Sequence, residues 1–215
     1  MSTVKIKICG LTQPDTLEAA IRARAEYAGF NFFPPSPRFL TPGDARELGA
    51  RADGRIGKVG VFVDAEDAAI AEAVAAARLD AIQLHGAETA KRTAQVRARF
   101  GLPVWKVVSV ASAADVAKAN GYAGAADFIL FDAKTPKGAA LPGGMGLAFD
   151  WSLVAGWKGP LPWGLAGGLT PDNVAEAVRL SGAGLVDTSS GVESAPGVKD
   201  RDKIAAFCAA VRSVA

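Results

Sequence analysis

Leu161-Pro162-Trp163-Gly164-Leu165-Ala166-Gly167-Gly168-Leu169-Thr170-Pro171-Asp172-Asn173 reads as a short apolar run, a glycine-rich turn and a helix start. Thr170 offers the side-chain oxygen of an N-cap, and Pro171 suits the first helical position, where its missing N–H costs nothing. Gly184-Leu185-Val186-Asp187 then opens another apolar run, which breaks into Thr188-Ser189-Ser190-Gly191-Val192-Glu193. From Leu161 to Gly184 is 23 residues, and that interval recurs along the whole chain. Runs of this kind start near Val4, Tyr27, Ile56, Leu79, Pro103, Ala126, Leu161 and Gly184, at spacings of 23, 29, 23, 24, 23, 35 and 23. Each is followed by an Ala/Glu/Arg-rich stretch with helical periodicity, such as Thr16-Leu17-Glu18-Ala19-Ala20-Ile21 or Ala69-Ile70-Ala71-Glu72-Ala73-Val74. Strands alternating with helices make a parallel α/β protein. A near-constant repeat of eight such units favours a closed barrel over a doubly wound sheet, which takes about five or six strands. The predicted fold is a single-domain (β/α)8 TIM barrel spanning residues 1–215.

The two long spacings follow the second and sixth strands. Their extra residues form Pro34-Pro35-Ser36-Pro37-Arg38 and the loop from Thr135 to Ala148. Loops after strands build the catalytic face of such a barrel, so both insertions enlarge that face. The prolines stiffen the first by fixing φ. The glycines of the second suit either a lid or a tolerated surface insertion.

Composition narrows the function classes. A net charge of +2, without basic runs, gives no footprint for nucleic acid or an anionic membrane. The chain enters its first alternating segment at Val4 with no apolar leader ahead of it. No apolar stretch approaches the roughly 20 residues of a bilayer span. The two cysteines, Cys9 and Cys208, lie at opposite ends of the sequence and suggest no disulfide framework. A cytoplasmic protein is expected. One histidine and two distant cysteines give no metal-ligand spacing. No Gly-x-Ser-x-Gly elbow, Walker loop or Rossmann fingerprint occurs.

The glycine- and serine-rich turns after the last two strands are where these barrels commonly hold phosphate. Gly167, Gly168, Ser189, Ser190 and Gly191 are therefore the phosphate candidates, against the alternative that the glycines only make turns. Cys9 ends the first strand in Lys7-Ile8-Cys9-Gly10. It is either a small buried hydrophobe or, on the catalytic face, a thiolate base. Cys208, within Ala205-Ala206-Phe207-Cys208, reads as packing. Asp132 follows Phe128-Ile129-Leu130-Phe131. Burying a carboxylate unpaired is costly, so it either pairs with a cation such as Lys134 or stays protonated enough for acid work. In a closed barrel Cys9 and Asp132 face each other across the pocket, a pair suited to aldose–ketose isomerisation. Arg38, on the stiffened loop, has the planar fork that grips a carboxylate. His85, the single histidine, and Asp187 end the fourth and eighth strands and are candidates to bind substrate; the alternatives are a structural role for His85 and, for Asp187, ordering the pocket or pairing with a cation.

These segments in their order resemble the phosphoribosylanthranilate isomerase family. The resemblance is carried by Lys7-Ile8-Cys9-Gly10-Leu11-Thr12, Gly29-Phe30-Asn31-Phe32-Phe33 with Ser36-Pro37-Arg38, and Gln83-Leu84-His85-Gly86. Phe131-Asp132, Phe149-Asp150-Trp151, Leu165-Ala166-Gly167-Gly168-Leu169 and Val186-Asp187 with Ser189-Ser190-Gly191-Val192-Glu193 complete it. The resemblance implies an Amadori rearrangement of N-(5-phosphoribosyl)anthranilate in tryptophan biosynthesis. In it Asp132 is the general acid that opens the furanose, Cys9 the base that removes the C2 proton, and Arg38 the anthranilate carboxylate's partner. It also implies no cofactor, because the imine itself withdraws electrons from C2, and a monomer, with a homodimer as the alternative. Where the family's loop carries a hydroxyl residue and a lysine, this chain has Met145 and Leu147; Thr188 replaces a small or aliphatic residue. The histidine-pathway isomerase, a related phosphosugar barrel, carries aspartate where Cys9 stands. A barrel that binds phosphate without turnover is the remaining alternative.

Overall fold

The computed structural model describes residues 4–135 and 146–214. β1 (Lys5–Cys9), β2 (Tyr27–Asn31), β3 (Gly57–Phe62), β4 (Ala81–Leu84), β5 (Val104–Val110), β6 (Phe128–Ala133), β7 (Trp163–Leu165) and β8 (Leu185–Thr188) pair in chain order. β8 returns to β1 and closes a parallel barrel, with Lys7 opposite Asp187 across the seam. Every strand begins within two residues of the position read from the spacing. Around it lie α1 (Pro14–Arg22), α2 (Pro42–Ala52), α3 (Asp67–Ala77), α4 (Ala90–Phe100), α5 (Ala113–Ala117), α6 (Val174–Ser181) and α7 (Arg201–Arg212).

Strand side chains alternate with period two, so the barrel has two cores. Ile129 and Phe131 of β6, with Ile6, Ile8 and Val186, face outward and pack with Leu17, Ile70, Val96 and Phe207 from the helices. Phe131 is fully buried there, and its truncation to alanine would cost about 3–5 kcal/mol. Leu130, Val59, Val107 and Leu185 face inward. Near the strand starts Trp105 sits 5.0 Å edge-on to Tyr27 and 4.8 Å from Phe128, plugging the inner barrel. The other end is left for chemistry.

Two expectations need correction. Among the described residues no α-helix follows β6; a 3-10 turn at Trp151–Leu153 takes its place. Gly156, Gly159, Pro160 and Pro162 crowd the segment, and neither residue type continues a helix. The lid reading falls largely on residues 136–145, outside the described residues. Thr170 is not the side-chain cap of α6. The chain turns through Pro171–Asn173 and the helix begins at Val174, with Asn173 donating to the Gly168 carbonyl and accepting from Thr170 N–H. The sequence reading did not include the hairpin of β9 (Glu193–Ala195) and β10 (Val198–Lys199), which follows β8 and reaches the site. No helix among the described residues is long and apolar enough to cross a membrane.

Candidate active site

At the C-terminal end of the barrel lies an open cleft, and all ten candidate site residues from the sequence line it. Inward-facing strand ends supply Cys9, Asp132 and Asp187, and the loops after β2, β4, β7 and β8 supply the rest. Period-two alternation dictates this. Lys5, Lys7 and Cys9 share one face of β1, as Phe128, Leu130 and Asp132 share one face of β6.

Asp132 is nearly buried. Its Oδ1 accepts the N–H of Ala133 at 2.8 Å, and Oδ2 lies 3.2 Å from His85 Nε2. Lys134 does not pair with it; that ammonium reaches Asp115 instead, at 3.6 Å. His85 therefore belongs to the acid's surroundings, with its Nδ1 3.2 Å from Gln83 Nε2. Gly167, at φ +86°, lets the phosphate-candidate loop touch this group: a Cβ there would stand 2.9 Å from Asp132 Oδ1.

Cys9 has different company. Lys7, wholly buried, donates from Nζ to Asp187 Oδ2 at 2.9 Å. Both Lys7 Nζ and Cys9 Sγ press on Gly29, where an added Cβ would be 3.1 Å from the nitrogen and 2.8 Å from the sulfur. Burial pushes the Cys9 thiol up; Lys7 and Lys199 pull it down, and Asp187 pushes it further up. Burial works against the Lys7 ammonium, but Asp187 and Cys9 outweigh it and hold that pKa above the ordinary value. Burial likewise raises Asp187, with Lys7 opposing.

Arg38 is buried rather than poised on a surface loop. Its Nε and Nη2 donate to the two oxygens of Glu193 at 2.7 and 2.8 Å, which fixes the plane of the guanidinium. The stem runs over Gly10, whose φ of +77° and missing side chain leave the room. Ser36 Oγ accepts the Arg38 N–H and is itself held by Asn31 Nδ2. Lys199 Nζ joins Glu193 Oε1 at 2.6 Å and also donates to the carbonyl and hydroxyl oxygens of Ser189. Burial opposes ionisation of Glu193, yet the Arg38 and Lys199 cations hold its carboxyl below the usual range.

The loops after β7 and β8 are locked together. Thr188 Oγ1 donates to Leu169 O at 2.7 Å, and any Cβ at Gly191 would collide with that same carbonyl. A short 3-10 turn at Ser190–Val192 starts beside the cleft. Leu147, exposed, brings its backbone against Gly168, at φ +64°. Met145 lies outside the described residues. No group of three or more His, Cys, Asp or Glu among the described residues is placed to hold a metal ion.

Residues 6–210 match the family model described as N-(5'-phosphoribosyl)anthranilate (PRA) isomerase. The chain belongs to that family. It is 57% identical to the N-(5'-phosphoribosyl)anthranilate isomerase of Paramagnetospirillum magneticum over 209 residues, 97% of each chain. The crystal structure of the Thermotoga maritima isomerase superposes with a TM-score of 0.88 at 35% identity, covering 98% of this chain and 100% of that one. A phosphoribosyl anthranilate isomerase in complex with reduced 1-(o-carboxyphenylamino)-1-deoxyribulose 5-phosphate is similar at a TM-score of 0.85 and 32% identity, with 98% and 100% covered.

Sequence reasoning missed Lys7, Lys199, Gln83 and the partnership of Glu193 with Arg38. Lys7 and Gln83 had a signal, because each stands two residues before a candidate, Cys9 and His85 respectively. The others depend on the hairpin and on barrel closure, which no local pattern encodes.

Proposed function

We propose that the chain performs its family's isomerisation, N-(5-phosphoribosyl)anthranilate to 1-(2-carboxyphenylamino)-1-deoxyribulose 5-phosphate, with Asp132 as general acid and Cys9 as general base. The carrying observation is that a buried thiol, a buried carboxyl group and two glycine- and serine-rich loops line one cleft of a family member. Asp132 protonates the ring oxygen, the C1–O bond breaks, and the nitrogen lone pair forms a protonated imine. The Cys9 thiolate removes the proton from C2, whose electrons flow to the imine and leave an enolamine. Tautomerisation then adds a proton at C1 and takes one from the C2 hydroxyl, giving the ketone with no net proton consumed. General acid and base groups each contribute roughly 10²–10⁴-fold.

The other candidates serve these two. Arg38, its plane fixed by Glu193, is the cation proposed for the anthranilate carboxylate. The phosphate sits at Gly167, Gly168, Ser189, Ser190 and Gly191, where close backbone approach and a helical-turn N-terminus favour an anion. His85 orients Asp132. Asp187, expected to contact substrate, is better read as the partner of Lys7. The imine is the electron sink, so the reading needs no cofactor. We also propose that the protein acts as a monomer in the cytoplasm, without nucleic-acid or membrane partners.

The test generates the substrate from anthranilate and phosphoribosyl pyrophosphate and follows its disappearance. Rapid loss by the intact protein, abolished in Asp132→Asn, is the expected result. Binding without turnover by the intact protein would mean an inert phosphate barrel.

A further inference from the structure

A thiol that burial pushes up makes a poor base, yet the proposed reaction needs a thiolate at Cys9. The cation that acts most strongly on that sulfur is Lys7, two residues earlier on the same inward face of β1. Lys7 is among the largest fully buried side chains in the molecule, at 0% exposure. A lysine is almost never placed so without a partner. One partner is Asp187, directly opposite in the β1–β8 register and 2.9 Å from Nζ. The other neighbour is Cys9: a Cβ built on Gly29 would stand 3.1 Å from the ammonium and 2.8 Å from the sulfur, so both border the same point. One cation thus stands between two acids, and an ammonium has donors enough for both.

Asp187 commits only half of its carboxylate to Lys7. Oδ1 is buried and has no hydrogen-bond partner among the described residues. Its negative charge therefore also acts on the thiol, and in the opposite direction to Lys7. The remaining groups around the sulfur are Lys199 from the hairpin and Arg38 from the loop after β2, both cations already paired with Glu193. Asp132 and His85 act on Asp187 from across the cleft.

We propose that Lys7 is a positioning residue for catalysis, shared between Asp187 and Cys9, and that the pair sets how readily Cys9 gives up its proton. Lys7 favours the thiolate; Asp187 restrains it. The assignment rests on Cys9 being the base, but its consequence is a property of the free protein. The thiol's ionisation moves in opposite directions when the two partners are removed in turn.

The experiment measures the pH dependence of iodoacetamide alkylation at Cys9 in the full chain, in a Cys208→Ala background. Cys208 lies in the outer core with its thiol pushed up to about 12 by burial, so its removal leaves one reporter. Asp187→Asn keeps shape and removes charge, and its alkylation midpoint falls by about one pH unit or more. Lys7→Met raises the midpoint by a comparable amount. Should Lys7→Met fail to fold, because it strands a buried carboxylate, the double variant Lys7→Met with Asp187→Asn carries the same test. Its midpoint lies above that of Asp187→Asn alone. In turnover the acid limb of kcat/KM follows each midpoint, a response that a purely structural role would not give. Equal midpoints in Asp187→Asn and the double variant, or a rise in Asp187→Asn, overturn the assignment. A Cys9→Ser variant that retains turnover would overturn the base reading instead, whatever the midpoints do.

Discussion

The two walls of the cleft are built on different principles. Around Asp132 there is one backbone N–H, one imidazole and a glycine that makes room. Around Cys9 stand Lys7, Lys199 and Arg38, with Asp187 and Glu193 between them. The difference follows from the two functional groups. The Asp132 carboxyl group has only to be held in place to deliver a proton. Burial pushes the Cys9 thiol the wrong way for a base, and the neighbouring cations oppose that shift without cancelling it. Cations buried at this depth need anions in turn, which accounts for Asp187 and Glu193.

The largest expected effects lie at the two reacting groups, and they break the comparison if it is misdrawn. Cys9→Ser and Asp132→Asn should each lower kcat by about 10²–10⁴-fold, measured on freshly generated substrate, with folding intact by circular dichroism. A serine alkoxide at Cys9 is far harder to form than a thiolate, and asparagine at Asp132 has no proton to deliver. If Cys9→Ser kept full turnover, the charged wall would have no base to serve.

Glu193→Gln comes next, read in stability. It removes the anion between Arg38 and Lys199 and leaves two buried cations facing each other, at a cost of about 3–5 kcal/mol by denaturant titration. The pH dependence has a definite sign. Glu193 has a depressed pKa in the folded protein, so its stabilisation is complete above the unfolded value, about 4.3, and is lost as pH falls through the folded value. The gap between wild type and Glu193→Gln should therefore be widest near neutrality and shrink in acid. A gap that stayed constant into acid would mean that Glu193 is held by packing alone.

On the sparse wall the effects are smaller. His85→Asn removes the imidazole packed 3.2 Å from Asp132 and should lower kcat about tenfold by loosening the position of the carboxyl group. KM should change little, and the Cys9 alkylation midpoint should not move. A rise in KM with kcat unchanged would return His85 to the role expected from the sequence, substrate contact.

The contrast between the walls also shows what was legible in advance. Strand starts could be read because the repeat is imposed by geometry: each unit must cross the barrel, turn, and return along its outside. Asp132 and Cys9 could be read because a polar group ending an apolar strand has few explanations. Their surroundings are another matter. Lys7 and Asp187 are 180 positions apart, and Arg38 and Glu193 155. They meet because β8 closes on β1 and because a hairpin after β8 folds back. Arg38 could accordingly be read as a fork held on the stiffened loop, but not its burial or its pairing with Glu193. Asp187 could be read as ordering the pocket or pairing with a cation, and the register supplies Lys7 as that cation. Among the described residues the helix expected after β6 is missing for a local reason, the glycines and prolines of the segment from Gly156 to Pro162.

The smallest effect is the sharpest control, because it separates charge from crowding on the Cys9 wall. Thr188 adjoins Asp187, is buried, and spends its hydroxyl on the Leu169 carbonyl, tying the loop after β7 to the one after β8. Thr188→Val preserves shape and removes that bond alone, at a cost of about 1 kcal/mol and a melting point lower by some 2–4 °C. The loops that frame the proposed phosphate position should loosen together, raising KM a few-fold while kcat holds, the signature of binding lost equally from ground and transition states. No charge changes, so the alkylation midpoint of Cys9 should stay where it is. If that midpoint shifted as far in Thr188→Val as in Asp187→Asn, the thiol would be responding to any disturbance of the wall, and the cations and anions gathered there would be scaffolding rather than the means of making it a base.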